Sequence, residues 1–382
     1  MLQIRTEAHR KGEAMRDQLA ERLLARVMGW SPEDVARERP VLQAMAAYKY
    51  DEYQQFSPGM RFVESLALCL SRLQTSEEKA ILYRFIKQRL IFFSTAEINH
   101  LVSIAYPDFV RPRLLRQVAK EQGLNPYHVD KVAGTAAFKI RQRECLFLGL
   151  SDGARMDAFR RSSSPHVGHE QVLQTYDISP GRIEKLLEKL HADVSTISGS
   201  TPEHDTKFRT IILLDDFSAS GTSYLRREDG IFKGKIGDFH RDLTNPEKPT
   251  SKLVNLNNTE ILLVLYIATQ KAETYLRSAL NELWTPCSVP FEILVVHPLA
   301  ANICLAPGSG DEVEVFLERY YDPSIEDEHT KKGHTNLKFG YAGCGLPVVL
   351  SHNTPNNSIY PLWAESAKLE PLFPRVSRHK EL

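Results

Sequence analysis

Thirteen residues in the middle of the chain join a buried-strand pattern to groups that can bind a sugar phosphate. Ile211–Leu214 are apolar, the carboxylates Asp215 and Asp216 follow directly, and Phe217 leads into a run of small residues. That run consists of Ser218, Ala219, Ser220, Gly221, Thr222 and Ser223. Ligands of open α/β sheets bind at the carboxyl ends of strands. The order therefore predicts a strand that ends in a ligand-binding loop.

The chemistry of this loop is that of an anion and diol site. Small side chains let the backbone approach a ligand, and Gly221 adds conformational freedom. We expect a helix to begin near Tyr224 and to direct its free N–H groups at the loop, which makes an anion site. Asp215 and Asp216 are the candidate catalytic residues, since they can accept hydrogen bonds from a cis-diol and stabilise positive charge on a ribose ring. The alternative, a polar turn with a capping serine, is less favoured because the whole order is present.

A second candidate segment lies about sixty residues upstream. Cys145–Leu150 is a short apolar run, typical of a buried strand. It is followed by Ser151, Asp152, Gly153, Ala154 and Arg155, hereafter the SDGAR turn. Gly153 can permit an unusual backbone conformation, and Arg155 can bind phosphate through paired N–H groups. A capped turn with a solvated basic helix face explains the same residues, and both interpretations remain open.

A third candidate segment is Val348–Asn357, whose polar residues come at the end of a predicted strand, Leu346–Ser351. His352 and Asn353 can hydrogen-bond to a base or to pyrophosphate. A turn rich in asparagine and proline, whose side chains satisfy one another, explains any single one of these residues at least as well.

The wider pattern predicts an α/β fold. Apolar runs at Thr210–Leu214, Glu260–Ile267 and Phe291–His297 alternate with helical patterns, which indicates a mainly parallel sheet flanked by helices. The sequence before it is helical in pattern, with one helix expected to stop near Tyr106-Pro107. We therefore predict a helical N-terminal domain over 1–140 and a second domain over 141–375 with an insertion at about 224–258.

The N-terminal part also contains a short helix, a turn and a basic helix, the order of a helix-turn-helix. The basic residues of this last helix, at helical spacing, are Arg111, Arg113, Arg116 and Lys120. A nucleic-acid-binding face is one interpretation, and an ordinary solvated face is the commoner one.

Composition excludes some broad classes. Lysine plus arginine equals aspartate plus glutamate at 48 each, so no global field favours nucleic acid or anionic membrane. The longest apolar run, Ile261–Ala268, is too short for a membrane span. Five cysteines are scattered without a paired motif, which favours a reducing, cytoplasmic compartment.

The acidic loop resembles the phosphoribosyl-pyrophosphate signature of type I phosphoribosyltransferases. The resemblance implies a phosphoribosyltransferase-type sheet, with Asp215 and Asp216 on the ribose hydroxyls, the loop through Ser223 on the 5-phosphate, and the SDGAR turn on pyrophosphate. It also implies Mg²⁺ bound mainly through substrate oxygens, with no metal ligands assigned to the chain itself. Ala219 stands where a threonine is frequent in that family, so one phosphate donor is missing.

The three motifs behind a helical region also resemble the phosphoribosyltransferase-like proteins of bacterial conflict systems, some of which accompany retrons in antiphage defence. That resemblance implies a cytoplasmic effector that binds phosphoribosyl pyrophosphate or a nucleotide, with a retron or other defence protein, or a nucleic acid, as partner. One hypothesis is a glycosyltransferase that performs Mg²⁺-assisted transfer or cleavage at the anomeric carbon. The other is a non-catalytic nucleotide-sensing or nucleic-acid-associated module.

Overall fold

The computed structural model describes residues 17–202, 205–331, 333 and 335–375. They form two compact units: the sheet unit, Ile98–Ala301, and the terminal unit, which combines residues up to Glu97 with those from Asn302 onward. The division predicted at residue 140 does not coincide with these units. The predicted roles of the two domains, a helical N-terminal domain and a phosphoribosyltransferase-like domain, stay predictions. Residues 1–16 of the first predicted domain lie outside the described part of the chain.

The helices and strands are as follows. The described helices are α1 (17–28), α2 (Pro32–Tyr48), α3 (Phe62–Ser71), α4 (Ser76–Arg89), α5 (Thr95–Ile104), α6 (Arg111–Glu121), α7 (Val129–Gly134), α8 (Ala136–Arg143), α9 (Met156–Ser163), α10 (Pro180–Ser198), α11 (Lys235–Thr244), α12 (Gln270–Trp284), α13 (Glu312–Tyr320) and α14 (Glu328–Lys331). The described strands are β1 (Ile91–Phe93), β2 (Cys145–Gly149), β3 (Val172–Gln174), β4 (Thr210–Ser218), β5 (Arg226–Glu228), β6 (Ile231–Lys233), β7 (Glu260–Thr269), β8 (Phe291–Leu299) and β9 (Val348–Leu350).

The sheet unit contains five parallel strands in the order β3-β2-β4-β7-β8. Ile211–Leu214 in the central strand have no solvent exposure, because helices cover both faces and favour continuous apolar runs. Leucines of α10 and α12 pack on one face, and the ring of Phe159 in α9 lies 5.1 Å from that of Phe147 on the other. The α/β fold with a mainly parallel sheet, flanking helices and a helical N-terminal region is thus confirmed.

The last predicted strand lies elsewhere. β9, within the predicted range Leu346–Ser351, pairs in parallel with β1 in the terminal unit and has no place in the five-stranded sheet. These two strands are three residues long and pack within an aromatic core that includes Tyr50, Phe62, Phe92 and Phe373.

The helix predicted to stop near Tyr106-Pro107 does not stop there. A π-helical segment, Ala105–Val110, carries the chain from α5 into α6. A proline has no N–H to donate, and a wider π turn re-spaces the neighbouring hydrogen bonds. Tyr106 and Val110 are buried, so packing retains the helix. No described helix is both long and apolar enough to cross a membrane.

The basic helix α6 is fixed to the sheet by one of its arginines. Arg113 donates two hydrogen bonds to Glu260, at 2.9 and 3.0 Å, and pairs with Glu292. Burial raises the pKa of Glu260, but the hydrogen bonds and charge of Arg113 outweigh it and leave that pKa lowered. Arg116 and Lys120 are exposed. Arg113 thus has a structural role, while nucleic-acid binding by this helix stays a prediction.

Replacing Arg113 tests this anchor. Arg113→Ala leaves Glu260 as a largely buried charge without its cation, so we expect a loss of about 3 kcal/mol in the free energy of unfolding. Arg116→Ala, the same change on the exposed face of the same helix, should stay within about 0.5 kcal/mol. Urea denaturation of the full chain measures both, and equal effects would contradict the assigned role.

Candidate active site

The SDGAR turn and the acidic strand end meet at the carboxyl edge of the sheet. β2 and β4 are neighbours, with Gly149 opposite Leu214, and the Leu150 N–H donates to the Leu214 carbonyl at 2.9 Å. This register places the SDGAR turn beside the acidic strand end, and the Ser151 hydroxyl donates to the Asp215 carboxylate. Two segments that lie sixty-four residues apart in sequence therefore share one hydrogen bond.

Asp215 is fully buried, and its carboxylate is surrounded by donors. Besides Ser151, it accepts from the backbone N–H of Asp216 at 3.2 Å and forms an ion pair with Lys235. Burial raises the pKa of Asp215, the neighbouring charge of Asp216 acts in the same direction, and Lys235 lowers it; the net direction is upward. The sequence predicted both acids as ribose ligands. Here the Asp215 carboxylate is bound by protein groups, and its role toward a ribose stays a prediction.

Asp216 is only partly buried and packs directly on the SDGAR turn. One carboxylate oxygen accepts from the Phe217 N–H at 2.8 Å. A Cβ added to Gly153 would lie 2.5 Å from the Asp216 carboxyl carbon, so a side chain there would force the Asp216 carboxylate to move. Gly153 was expected to supply an unusual backbone conformation; instead its importance is the space that it leaves for Asp216.

The unusual backbone of the turn belongs to Arg155. Its φ and ψ are 48° and 49°, a left-handed conformation that is uncommon for residues with a side chain. The carbonyl of the preceding Ala154 accepts from the hydroxyl of Tyr266, a residue of β7 that is completely buried. Such conformations concentrate at ligand-binding sites. The Arg155 guanidinium donates to the Asn99 side chain at 3.2 Å.

The loop after β4 forms a tight turn, although the helix expected near Tyr224 is absent. Gly221 has φ +81°, and an added Cβ would lie 2.7 Å from the Tyr275 ring. The Tyr224 N–H closes the turn on the Gly221 carbonyl at 3.0 Å. Within the loop, the Ser220 and Thr222 hydroxyls are 2.9 Å apart. Ser218 is 2% exposed, and its hydroxyl has no hydrogen-bond partner among the described residues.

An antiparallel hairpin, β5–β6, replaces the predicted helix. Asp229 and Gly230 both have positive φ, at 51° and 78°. An Asp-Gly pair is a strong signal for a two-residue hairpin turn, so the sequence contained this information. The helix that follows, α11, begins at Lys235. Its first N–H groups donate to carbonyls of Ser223 and Tyr224, so they are used within the protein.

Two residues near the site were not anticipated. Lys235 lies twenty residues after its partner Asp215, in a segment that the sequence left as an insertion. Tyr176 follows β3, a short strand that the sequence analysis missed, and its hydroxyl donates to Asp152 at 2.6 Å. The only sequence signal for this ion pair was the position of Lys235, a basic residue just after the hairpin. That position does not show which acidic residue it pairs with.

His352 and Asn353 lie in the turn after β9, in the terminal unit. The His352 carbonyl accepts from the Gln55 side chain at 2.8 Å. The side-chain oxygen of Asn353 is buried and has no hydrogen-bond partner among the described residues. The turn is therefore only partly satisfied by its own side chains, and the expected role of the two residues with a base stays a prediction.

Comparison with known families gives one result. The family model described as PRTase-CE matches residues 72–375, most of the chain, a range that contains every candidate residue above. No curated protein and no solved structure matches the chain.

The contact between Gly153 and Asp216 can be tested by adding a methyl group. Gly153→Ala should lower the free energy of unfolding by about 1–3 kcal/mol, because the new Cβ overlaps the carboxylate. In an Asp216→Ala background the same change should cost much less, since the overlapping group is gone. Gly181→Ala, where the added Cβ meets nothing within 4 Å, should be neutral or stabilising. Equal costs of Gly153→Ala in both backgrounds would contradict the contact.

Proposed function

The chain belongs to the PRTase-CE family and is phosphoribosyltransferase-like, and on that premise we propose that it binds phosphoribosyl pyrophosphate or a related nucleotide at the carboxyl edge of its sheet. The supporting observation is the meeting of the SDGAR turn with the Asp215-Asp216 strand end. A ribose needs acceptors for its hydroxyls, and its phosphates need donors close by. Asp216 offers the first, and the small-residue loop and the turn offer the second.

In the proposed reaction the bond between the anomeric carbon and pyrophosphate breaks, and pyrophosphate leaves with the electron pair. A base nitrogen attacks the anomeric carbon, and its proton passes to the departing pyrophosphate or to water. The ribose passes through an oxocarbenium-like state, as in other glycosyl transfers. Asp216 accepts from a ribose hydroxyl and stabilises the positive charge, while Ser218–Ser223 hold the 5-phosphate and the SDGAR turn holds the leaving pyrophosphate. Catalysis on this route is positioning and electrostatics.

Mg²⁺ fits this proposal as an ion that arrives with the substrate. The described residues contain no cluster of three or more histidine, cysteine or acidic side chains suited to a metal. Mg²⁺ retains several waters and is commonly held through substrate oxygens with one or two carboxylates. When bound, it neutralises charge on the leaving pyrophosphate. Asp216 is the accessible carboxylate of the pair and is the residue that would approach it.

A non-catalytic nucleotide sensor is the second candidate function, and one observation favours it. Asp215 is engaged by Ser151 and Lys235, so one of the two acids is withdrawn from the ligand. Incubation with phosphoribosyl pyrophosphate, Mg²⁺ and a panel of bases separates the candidates. Release of pyrophosphate supports a transferase, whereas tight binding without release supports a sensor.

The binding proposal predicts a selective effect of Asp216→Asn. Loss of a charged acceptor should weaken phosphoribosyl pyrophosphate binding about ten- to a hundredfold, as measured by calorimetry. Folding should be retained, because the change also removes repulsion from Asp215. Asp238→Asn, the same change on the exposed side of α11, is the control and should bind like the wild type. Unchanged affinity in Asp216→Asn would refute the proposed site.

We further propose a role in bacterial antiphage defence, with a retron or another defence component as partner. The support is the joint resemblance of the three sequence motifs to proteins of conflict systems. Bacteria that express the chain together with its neighbouring genes should restrict phage plating, and the Asp216→Asn version should not. If phage plate equally well on bacteria with the wild-type chain and on bacteria with the Asp216→Asn chain, a defence role that depends on this site is contradicted.

A further inference from the structure

The segment 225–244, here called the inserted hairpin–helix segment, is attached directly to the candidate site. Its backbone binds the loop after β4: the Lys235 N–H donates to the Ser223 carbonyl at 3.3 Å and the Ile236 N–H to the Tyr224 carbonyl at 2.8 Å. Gly234 has φ +100°, and an added Cβ would lie 2.9 Å from the Ser223 carbonyl oxygen. The start of α11 is therefore pressed against this loop.

The side chain of Lys235 continues the attachment into the buried part of the site. Its ammonium pairs with Asp215 and lies 4.9 Å from the centre of the Tyr224 ring. Tyr224 is itself 1% exposed and is fixed by its hydroxyl, which donates to the Phe217 carbonyl at 2.9 Å. An aromatic face attracts a cation, so the ring helps to keep the ammonium next to Asp215.

Asp215 connects three segments through its two carboxylate oxygens. One oxygen accepts from Ser151 in the SDGAR turn and from the N–H of Asp216, and the other binds Lys235 in the inserted segment. The backbone of Asp216 is thereby bound to the carboxylate that Lys235 holds. A buried carboxylate without its cation would be strongly unfavourable.

We propose that Lys235 is a positioning residue, which holds Asp215 so that Asp215 in turn orients Ser151 and Asp216 toward the sugar. The inference rests on the proposed function, because it concerns the same ligand. It makes Lys235, at the start of α11, a part of the site. It also divides the acid pair: Asp215 organises the site, and Asp216 meets the ribose.

Two probes separate positioning from direct contact with phosphate. Ribose 5-phosphate reports on sugar recognition through Asp216, and inorganic phosphate reports on the loop alone. Lys235→Met should weaken ribose 5-phosphate binding at least tenfold, about 1.4 kcal/mol, and should change phosphate binding less than threefold. Both are measured as ligand-dependent shifts of the thermal midpoint of the full chain. Equal weakening for both probes would overturn positioning in favour of direct phosphate binding.

Lys233→Met is the matched control. Lys233 lies two residues away in the same segment and pairs with Glu228 at 3.1 Å, outside the Asp215 contacts. It should bind both probes like the wild type. If it weakens ribose 5-phosphate binding as much as Lys235→Met does, the effect belongs to the segment as a whole and the specific role of Lys235 is overturned.

A pair of compensating changes keeps the inference testable if Lys235→Met does not fold. Asp215→Asn alone places an amide next to an ammonium, whereas Lys235→Met with Asp215→Asn removes both charges. The double variant should therefore be more thermally stable than either single variant and should recover part of the ribose 5-phosphate affinity. Lys235→Arg, which keeps the charge, should bind within about threefold of the wild type. Additive losses in the double variant would overturn the inference.

The same set distinguishes this inference from the proposed function. Suppose that the wild type binds ribose 5-phosphate, that Asp216→Asn abolishes this binding, and that Lys235→Met does not change it. In that case only the positioning role is overturned. If the wild type does not bind ribose 5-phosphate, the proposed function fails and the inference fails with it.

Discussion

The arrangement of the site depends on one buried negative charge. Asp215 has no solvent exposure at the end of the central strand. Removing a carboxylate from water costs several kcal/mol even after relaxation, unless donors and a cation replace the water. Here the replacement groups come from three segments: the SDGAR turn, the backbone of the next residue and the start of α11. Burying this charge therefore requires those segments to converge.

The parallel sheet makes the convergence possible. Because β2 and β4 are adjacent and in register, their first loop residues emerge side by side. Gly153 then lets the turn fold onto Asp216, and Tyr266 holds the turn from below through the Ala154 carbonyl. At the opposite end of the sheet, Arg113 ties α6 to β7 and β8 through Glu260 and Glu292. The Arg113 ion pairs thus hold the amino end of the sheet, while the contacts of Gly153 and Tyr266 hold the turn at its carboxyl edge.

Much of this fold was predictable because parallel strands buried on both faces consist of consecutive apolar residues. Four of the five sheet strands were found in that way, and the fifth, Val172–Gln174, is too short and too polar at its end to be recognised. The Leu346–Ser351 run was recognised as a strand, but an apolar run does not say which sheet it joins. The hairpin after Tyr224 was missed although Asp229-Gly230 marks it, because the loop pattern before it favoured a helix. The ion pair of Lys235 with Asp215 could not be predicted from the sequence, because the two residues meet only once the hairpin has reversed the chain between them.

The pairing of Asp215 with Lys235 suits an anionic ligand because it lowers the negative charge of the site. Two free carboxylates at one strand end would repel the phosphates of a sugar phosphate; a like-charge contact at 4 Å is worth about 4 kcal/mol near a protein surface. Lys235 offsets one of the two charges from within the protein, so Asp216 remains as an acceptor for hydroxyl groups at a lower electrostatic cost to the neighbouring phosphates. In the proposed function, the same pairing gives Asp215 an organising role and leaves the ligand contact to Asp216. The site then recognises ribose with a single carboxylate. Turnover on that route depends on how that carboxylate, the loop and the turn stabilise the transition state beyond the bound ground state.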